Sequence, residues 1–106
     1  MVSSLSDGST LITTTETELF AAITTLKYHS IWIFLDPMLV GDEYKIRVYV
    51  KDASGGTERG YTESVFIDVQ SPPGVYLPPI LMDYFRVTIQ KIAGTDRTFK
   101  WRRGQS

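Results

Sequence analysis

At 106 residues, with 42% hydrophobic and 22% charged side chains, the chain has the size and composition of one folded domain, not of a disordered tail. It contains no cysteine, which excludes disulfides, thiolate metal sites and a cysteine nucleophile within this sequence. Its net charge of −1 is the wrong balance for a general nucleic-acid or membrane binder.

The opening MVSSLSDGST has neither the basic nor the apolar stretch of a signal peptide. Residues 1–9 are expected to form a flexible arm. The segment STLITTTETELFAAI carries the one helical hint, with Leu19, Phe20, Ile23 and Leu26 at near-helical spacing. Threonines crowd it, and β-branched side chains favour strands, so it reads as two short strands with a bend. HSIWIFLD is apolar on both faces, with Ile31, Ile33 and Leu35 on one and Trp32 and Phe34 on the other. Such a strand lies centrally in a sheet, or a second chain covers one of its faces. The run Ile31–Leu35 is far shorter than the roughly 20 residues that span a bilayer.

After breaks at Asp36-Pro37 and Gly41-Asp42, DEYKIRVYVKD alternates strictly. Tyr44, Ile46, Val48 and Val50 face one way, as in a half-buried antiparallel strand. DASGG is a hairpin tip. In ESVFIDV the apolar parity is Val65, Ile67 and Val69, against Ser64, Phe66 and Asp68. SPPGVYLPP holds four of the five prolines and reads as a rigid, extended crossing between sheets. In YFRVTIQKI, Phe85, Val87 and Ile89 share a face; in TFKW, Phe99 and Trp101 do. Residues 104–106 are expected as a tail. The sum is an all-β, antiparallel sandwich of seven or eight strands, a jelly-roll-like Greek key, as one domain over residues 10–103.

Charge is uneven along the chain. Residues 1–70 carry 5 basic and 10 acidic side chains, and residues 71–106 carry 6 and 2. Arg97, Lys100, Arg102 and Arg103 crowd the C-terminal end, either as a solvated, cation-guarded edge or as a basic surface for an acidic neighbour.

No catalytic constellation emerges. His29 is the one histidine, and its neighbour Ser30 points to the other face of a strand, so no Ser/His/Asp set forms. One His without Cys is a poor metal set. Glu16 and Glu18 share a face but lack the aromatic lining of a glycosidase pair, and Asp42-Glu43 opens a strand. Asp52 and Glu58 bracket a calcium-compatible loop without EF-hand spacing. Tyr28, Tyr49, Tyr61 and Tyr76 suit a carbohydrate-binding face if a row of them is exposed, although strand aromatics are more often core or interface. The expectation is a non-enzyme with no cofactor and no metal.

One echo stands out: Gly56-Thr57-Glu58-Arg59 and Gly94-Thr95-Asp96-Arg97, each followed two residues on by an aromatic, Tyr61 and Phe99. Both lie between period-two strands and read as one turn solution used twice. Gly56 and Gly94 are expected at positive φ and the two aromatics are expected to turn inward. Were both tips at one end, Glu58, Arg59, Asp96 and Arg97 would rim a contact.

The order of these segments resembles small all-β structural proteins of tailed bacteriophages and environmental viruses. Three features carry the likeness: Thr17-Glu18-Leu19-Phe20, the stretch from Leu39 through Gly41-Asp42 to Val50, and Gln90 to Trp101 with Ala-Gly-Thr-x-Arg-x-Phe-x-Trp. The likeness spans residues 10–101. It implies a virion protein on the capsid surface, a decoration or cement protein that binds and stabilises the major capsid protein lattice. It also implies self-association, with a homotrimer fitting the threefold sites of such a lattice; the near-neutral charge leaves neither nucleic acid nor membrane as an expected partner. The alternative is a tail-associated adhesion or carbohydrate-binding module. Trp32, Phe34, Tyr76, Arg97, Trp101 and Arg102 are the expected interface residues, since aromatic and Arg anchors dominate contacts.

Overall fold

The structure is a computed structural model that describes residues 4–51, 53 and 55–105. Eight strands follow in order: β1 (Ser4–Ile12), β2 (Thr17–Glu18), β3 (Lys27–Phe34), β4 (Glu43–Lys51), β5 (Glu58–Ile67), β6 (Gly74–Met82), β7 (Arg86–Ala93) and β8 (Arg97–Gln105). No described residue is helical. The stretch with helical spacing is a bend instead. There Leu19 and Ile23 bond through their backbones to Val87 and Phe85, a sheet-type solution that suits its threonines.

The strands form two four-stranded antiparallel sheets, β1-β8-β3-β6 and β2-β7-β4-β5. The pairing is nested. β4 pairs with β5, β3 with β6, β2 with β7 and β1 with β8, as if one long hairpin had been folded over on itself. Ladders β3·β8 and β4·β7 then join the turns of this hairpin into sheets. Eight strands so ordered are a jelly-roll Greek key.

Period-two patterning places the core. Ile31, Ile33 and Leu35, together with Phe99 of the same sheet, face Tyr44, Ile46, Val48, Phe85, Val87 and Ile89 across the sandwich, all 4% exposed or less. On a transfer scale each such side chain contributes about 1.5–3 kcal/mol.

Three expectations change. Residues 4–9 are not an arm: with residues 104–105 they complete the β1–β8 ladder, from Ser4↔Gln105 to Ile12↔Arg97. Small polar side chains hide this strand, because it is an edge that buries little. Residues 1–3 of that arm, and Ser106, lie outside the described residues. In β5 the parity is the reverse of the expected one. Phe66 packs against the core, while Val65, Ile67 and Val69 are 46%, 56% and 58% exposed. The larger ring wins the inward position because it buries more area. Finally, only residues 68–73 cross between sheets. Gly74–Met82 is itself edge strand β6, with Pro78-Pro79 inside it, where missing amide hydrogens do least harm.

Candidate interaction surface

The outer face of the β1-β8-β3-β6 sheet gathers side chains from distant parts of the chain. Register places Trp32 directly between Tyr76 on β6 and Arg102 on β8, and Arg102 opposite Asp7 on β1. The Trp32 and Tyr76 rings stack with centroids 4.8 Å apart and planes 28° from parallel. Arg102 Nη2 lies 3.6 Å from Asp7 Oδ2, an exposed pair worth under about 1 kcal/mol and easily exchanged for another partner. In the next row Phe34 stands between Gly74 and Lys100. Leu5, Trp32, Phe34 and Arg102 line one shallow groove, and Asp7, Gly8, Ser9 and Lys100 continue it along β1 and β8. Tyr76 and Leu5 are 46% and 58% exposed. A face this apolar, carrying one acid and two bases in these rows, is unusual for a solvated sheet.

Four of the six expected interface residues, Trp32, Phe34, Tyr76 and Arg102, therefore share one face. The other two point elsewhere. Trp101 alternates with Lys100 and Arg102 and is buried beneath the sheet, 9% exposed. Its ring packs on Phe20 at 5.1 Å, its Nε1 donates to Thr10 Oγ1 at 3.2 Å, and its cross-strand partner is Gly8. A Cβ at Gly8 would sit 2.7 Å from the indole, so glycine is what lets β1 close over it.

Arg97 is committed to Asp42. Its Nε donates to Asp42 Oδ2 at 2.9 Å, and Asp42 is 2% exposed. The same carboxylate accepts the amides of Leu39 at 2.9 Å and Thr95 at 3.1 Å. The Leu39 amide bond is the largest influence on Asp42. Together with Thr95 and Arg97 it overcomes desolvation and holds the carboxyl below its usual range. Tyr44 donates its hydroxyl to the Thr95 carbonyl, and burial, with Asp42 adding, pushes that phenol up to about 12. Asp68, at φ +62°, closes the arrangement: its amide donates to the Asp42 carbonyl and its Oδ1 accepts from Gly41, both at 2.8 Å. Three turns are thus pinned together at one end of the sandwich.

The echoed turns are not at one end. Glu43 pairs with Ala93 just before Gly94, whereas Lys51 pairs with Glu58 at the far end of β4. Gly94 does take positive φ, but in the other turn Gly55, not Gly56, does so. Phe99 is buried as expected; Tyr61 is 56% exposed, displaced by a bulge opposite Val48 and Tyr49.

The outer face of the second sheet is chemically different. Glu16 accepts from the hydroxyls of Tyr49 and Thr88, each at 2.5 Å, and lies 3.5 Å from Arg47. Arg47 also bonds Glu63 at 2.7 Å, and Arg86 reaches Glu58 at 3.0 Å and Glu18 at 3.4 Å. Desolvation opposes ionisation of Glu16, but bonds from Thr88 and Tyr49 and the charges of Arg47 and Arg86 hold it below the usual carboxylate range. Glu16 and Glu18 do share a face, as expected, yet each is consumed by a basic partner. Tyr49 and Tyr61 border a groove on this sheet, while Tyr28 and Tyr76 are strand residues of the other, so the four tyrosines make no single row. The charged groups of this face satisfy one another, with Val65 and Ile67 of β5 exposed beside them.

His29 is 1% exposed, stacked 5.2 Å from Phe85, with Nε2 3.1 Å from the carbonyls of Thr25 and Met82. Burial lowers its pKa, so it is a neutral core residue donating through Nε2. Among the described residues, no three His, Asp or Glu side chains gather as a metal site. Asp52, half of the calcium-compatible pair, lies outside the described residues. No helix among them is long and apolar enough to cross a membrane.

No protein-family model matches the chain, and no curated protein matches it. Two solved structures share its fold. One comes from Bacillus endospore appendages, which form a family of disulfide-linked pili; it is 16% identical, with a TM-score of 0.62 over 99% of this chain and 87% of that one. The other, a crystal structure of PirA, is 15% identical, with a TM-score of 0.51 over 92% of this chain and 90% of that one. At these identities the likeness is one of architecture.

Proposed function

We propose that this protein is a non-enzymatic structural component of a large protein assembly and acts by docking the outer face of β1-β8-β3-β6. The convergence of Trp32, Tyr76, Phe34, Leu5 and Arg102 on that face carries the reading. The charged groups of the opposite sheet pair with one another, which favours the β1-β8-β3-β6 side for docking through an Arg anchor. Stacked aromatics and an Arg with an exchangeable partner are the usual anchors of a contact. In its finer form the assembly is a virion. The protein then decorates the capsid surface and cements subunits of the major capsid protein, as the sequence likeness to phage structural proteins suggests.

The fold likeness to a pilus subunit favours a second reading, in which copies join each other in an extracellular appendage. The 106 residues have no cysteine, so in that case contacts through them are not disulfides.

Binding of the purified protein to particles lacking it separates these readings. A capsid role predicts saturable binding at a copy number set by lattice geometry, lost on Trp32→Ser with Arg102→Glu. Retention of full binding by that double variant, with its fold intact by circular dichroism, refutes docking through this face.

A further inference from the structure

A second apolar feature stands on the three pinned turns. Leu39 and Val40 are 53% and 83% exposed at the tip of the β3–β4 connection. Ile67 and Val69, 56% and 58% exposed, flank the Asp68 that binds this tip. Exposed aliphatics at a loop tip are ordinarily mobile. Here the tip is fixed by Asp42 bonding the Leu39 amide and Asp68 bonding the Gly41 amide. Two carboxylates spent on holding an apolar tip rigid amount to preorganisation, which removes the ordering cost of binding.

The tip's charge is acidic in balance: the third pinned turn adds Lys91 paired with Asp96 and the Arg97 held by Asp42, and Lys100 shares a groove with Asp36. Residues 35–43 and 66–70 contain Asp36, Asp42, Glu43 and Asp68 and no lysine or arginine. Arg97 neutralises Asp42, leaving three acids around an aliphatic centre. That rim opposes an anionic bilayer. It suits a surface with aromatic and aliphatic side chains beside cations, and the docking face supplies this with Trp32, Phe34, Leu5, Lys100 and Arg102. The two patches use different residues. One copy can therefore present its tip to a second copy while offering its own face to a third.

We infer that copies of this chain associate tip to face, the Leu39-Val40 turn of one seated on the Trp32–Phe34–Arg102 face of the next. This rests on the reading of that face as a docking surface and deepens the second form of that reading, in which copies join each other, by naming the occupant. Such a contact is heterologous: repeated, it gives a ring if the rotation closes and a filament if it does not.

Mass measurement by sedimentation velocity over rising protein concentration tests it, using two variants with unchanged circular dichroism. The tip variant is Leu39→Ser with Val40→Lys, and the face variant is Phe34→Glu with Arg102→Glu. The wild type is expected to grow past the dimer. Each variant alone is expected to stay monomeric. Their equimolar mixture is expected to form a dimer and stop there, because one good tip and one good face remain. A mixture that stays monomeric overturns the inference, as does a tip variant that assembles like the wild type. If the tip variant assembles and the face variant does not, the face still docks and only the tip is wrong. If the face variant assembles like the wild type, the face reading itself falls. A wild type monomeric at every concentration overturns the tip-to-face contact and leaves the particle-binding test standing.

Discussion

Arg97 Nε and Asp42 Oδ2 lie 2.9 Å apart across 55 positions of sequence, joining the turn before β4 to the turn before β8. Asp42 is buried and accepts two backbone amides besides, so its removal strands several donors at once. Asp42→Ala is expected to cost about 3–5 kcal/mol in urea unfolding. Arg97→Ala leaves the carboxylate its amide donors and is expected to cost about 1–3 kcal/mol. Equal costs, or an Asp42 cost under about 1 kcal/mol, would contradict this division. Because the folded pKa of Asp42 is depressed, its contribution is present above the unfolded value near 3.9 and is lost as pH falls below it.

His29 opens a second pH window. Its folded pKa is lowered, chiefly by burial, so the unfolded state takes up a proton first. Stability is full above the unfolded value near 6.5 and declines as pH falls from there toward the lowered folded value. Protonation would put a hydrogen on Nδ1, which is buried without a partner. Thermal melts from pH 7.5 to 5 should show this decline, and His29→Gln should flatten it. An equal slope in the variant would assign the effect to other groups.

Gly94 and Gly41 both have positive φ, +96° and +93°, but only one is crowded. A Cβ at Gly94 would stand 2.2 Å from Asp42 Oδ1 and 2.7 Å from its Cα, while nothing lies within 4 Å of one at Gly41. Gly41→Ala should cost about 1–2 kcal/mol from backbone strain alone. Gly94→Ala should cost more and disturb the Asp42 site. Chemical denaturation of the two variants decides the order, and the reverse order sinks the argument.

Trp101 and Trp32 should separate folding from docking. Trp101→Ala opens the core and is expected to cost about 3–5 kcal/mol. Trp32→Ala loses a surface stack on Tyr76 and should cost about 0.5–1.5 kcal/mol while abolishing assembly. Loss of assembly by the first with no change in melting temperature would place Trp101 at the contact instead.

The strands of the core were legible because their period is two and their partners are on the page of the sequence itself: Tyr44, Ile46 and Val48, or Phe85, Val87 and Ile89. Strand β5 misled because its apolar parity, Val65, Ile67 and Val69, is the one left outside, and only packing decides that the single ring of Phe66 turns in. The first half of β1 has no apolar period to find. The docking face was half visible. Trp32 and Phe34 declare themselves by lying opposite a complete apolar parity, but their meeting with Tyr76 and Arg102 depends on register between strands far apart in sequence. Arg97 looked like a surface cation because nothing local says that Asp42 will be buried beside it.

The nested pairing also orders the folding of the chain. The innermost pair, β4 and β5, is joined by a connection of only six residues, from Lys51 to Glu58. The outermost joins Ser4 to Gln105. Each inner pair, once made, brings the next two strands together, so a closure that would be entropically costly in an open chain becomes a short step. The molecule should therefore assemble like a zip fastener drawn from residues 51–58 outward. Interactions in the β4–β5 hairpin should be formed at the rate-limiting step, and those of Gly8 with Trp101 only after it.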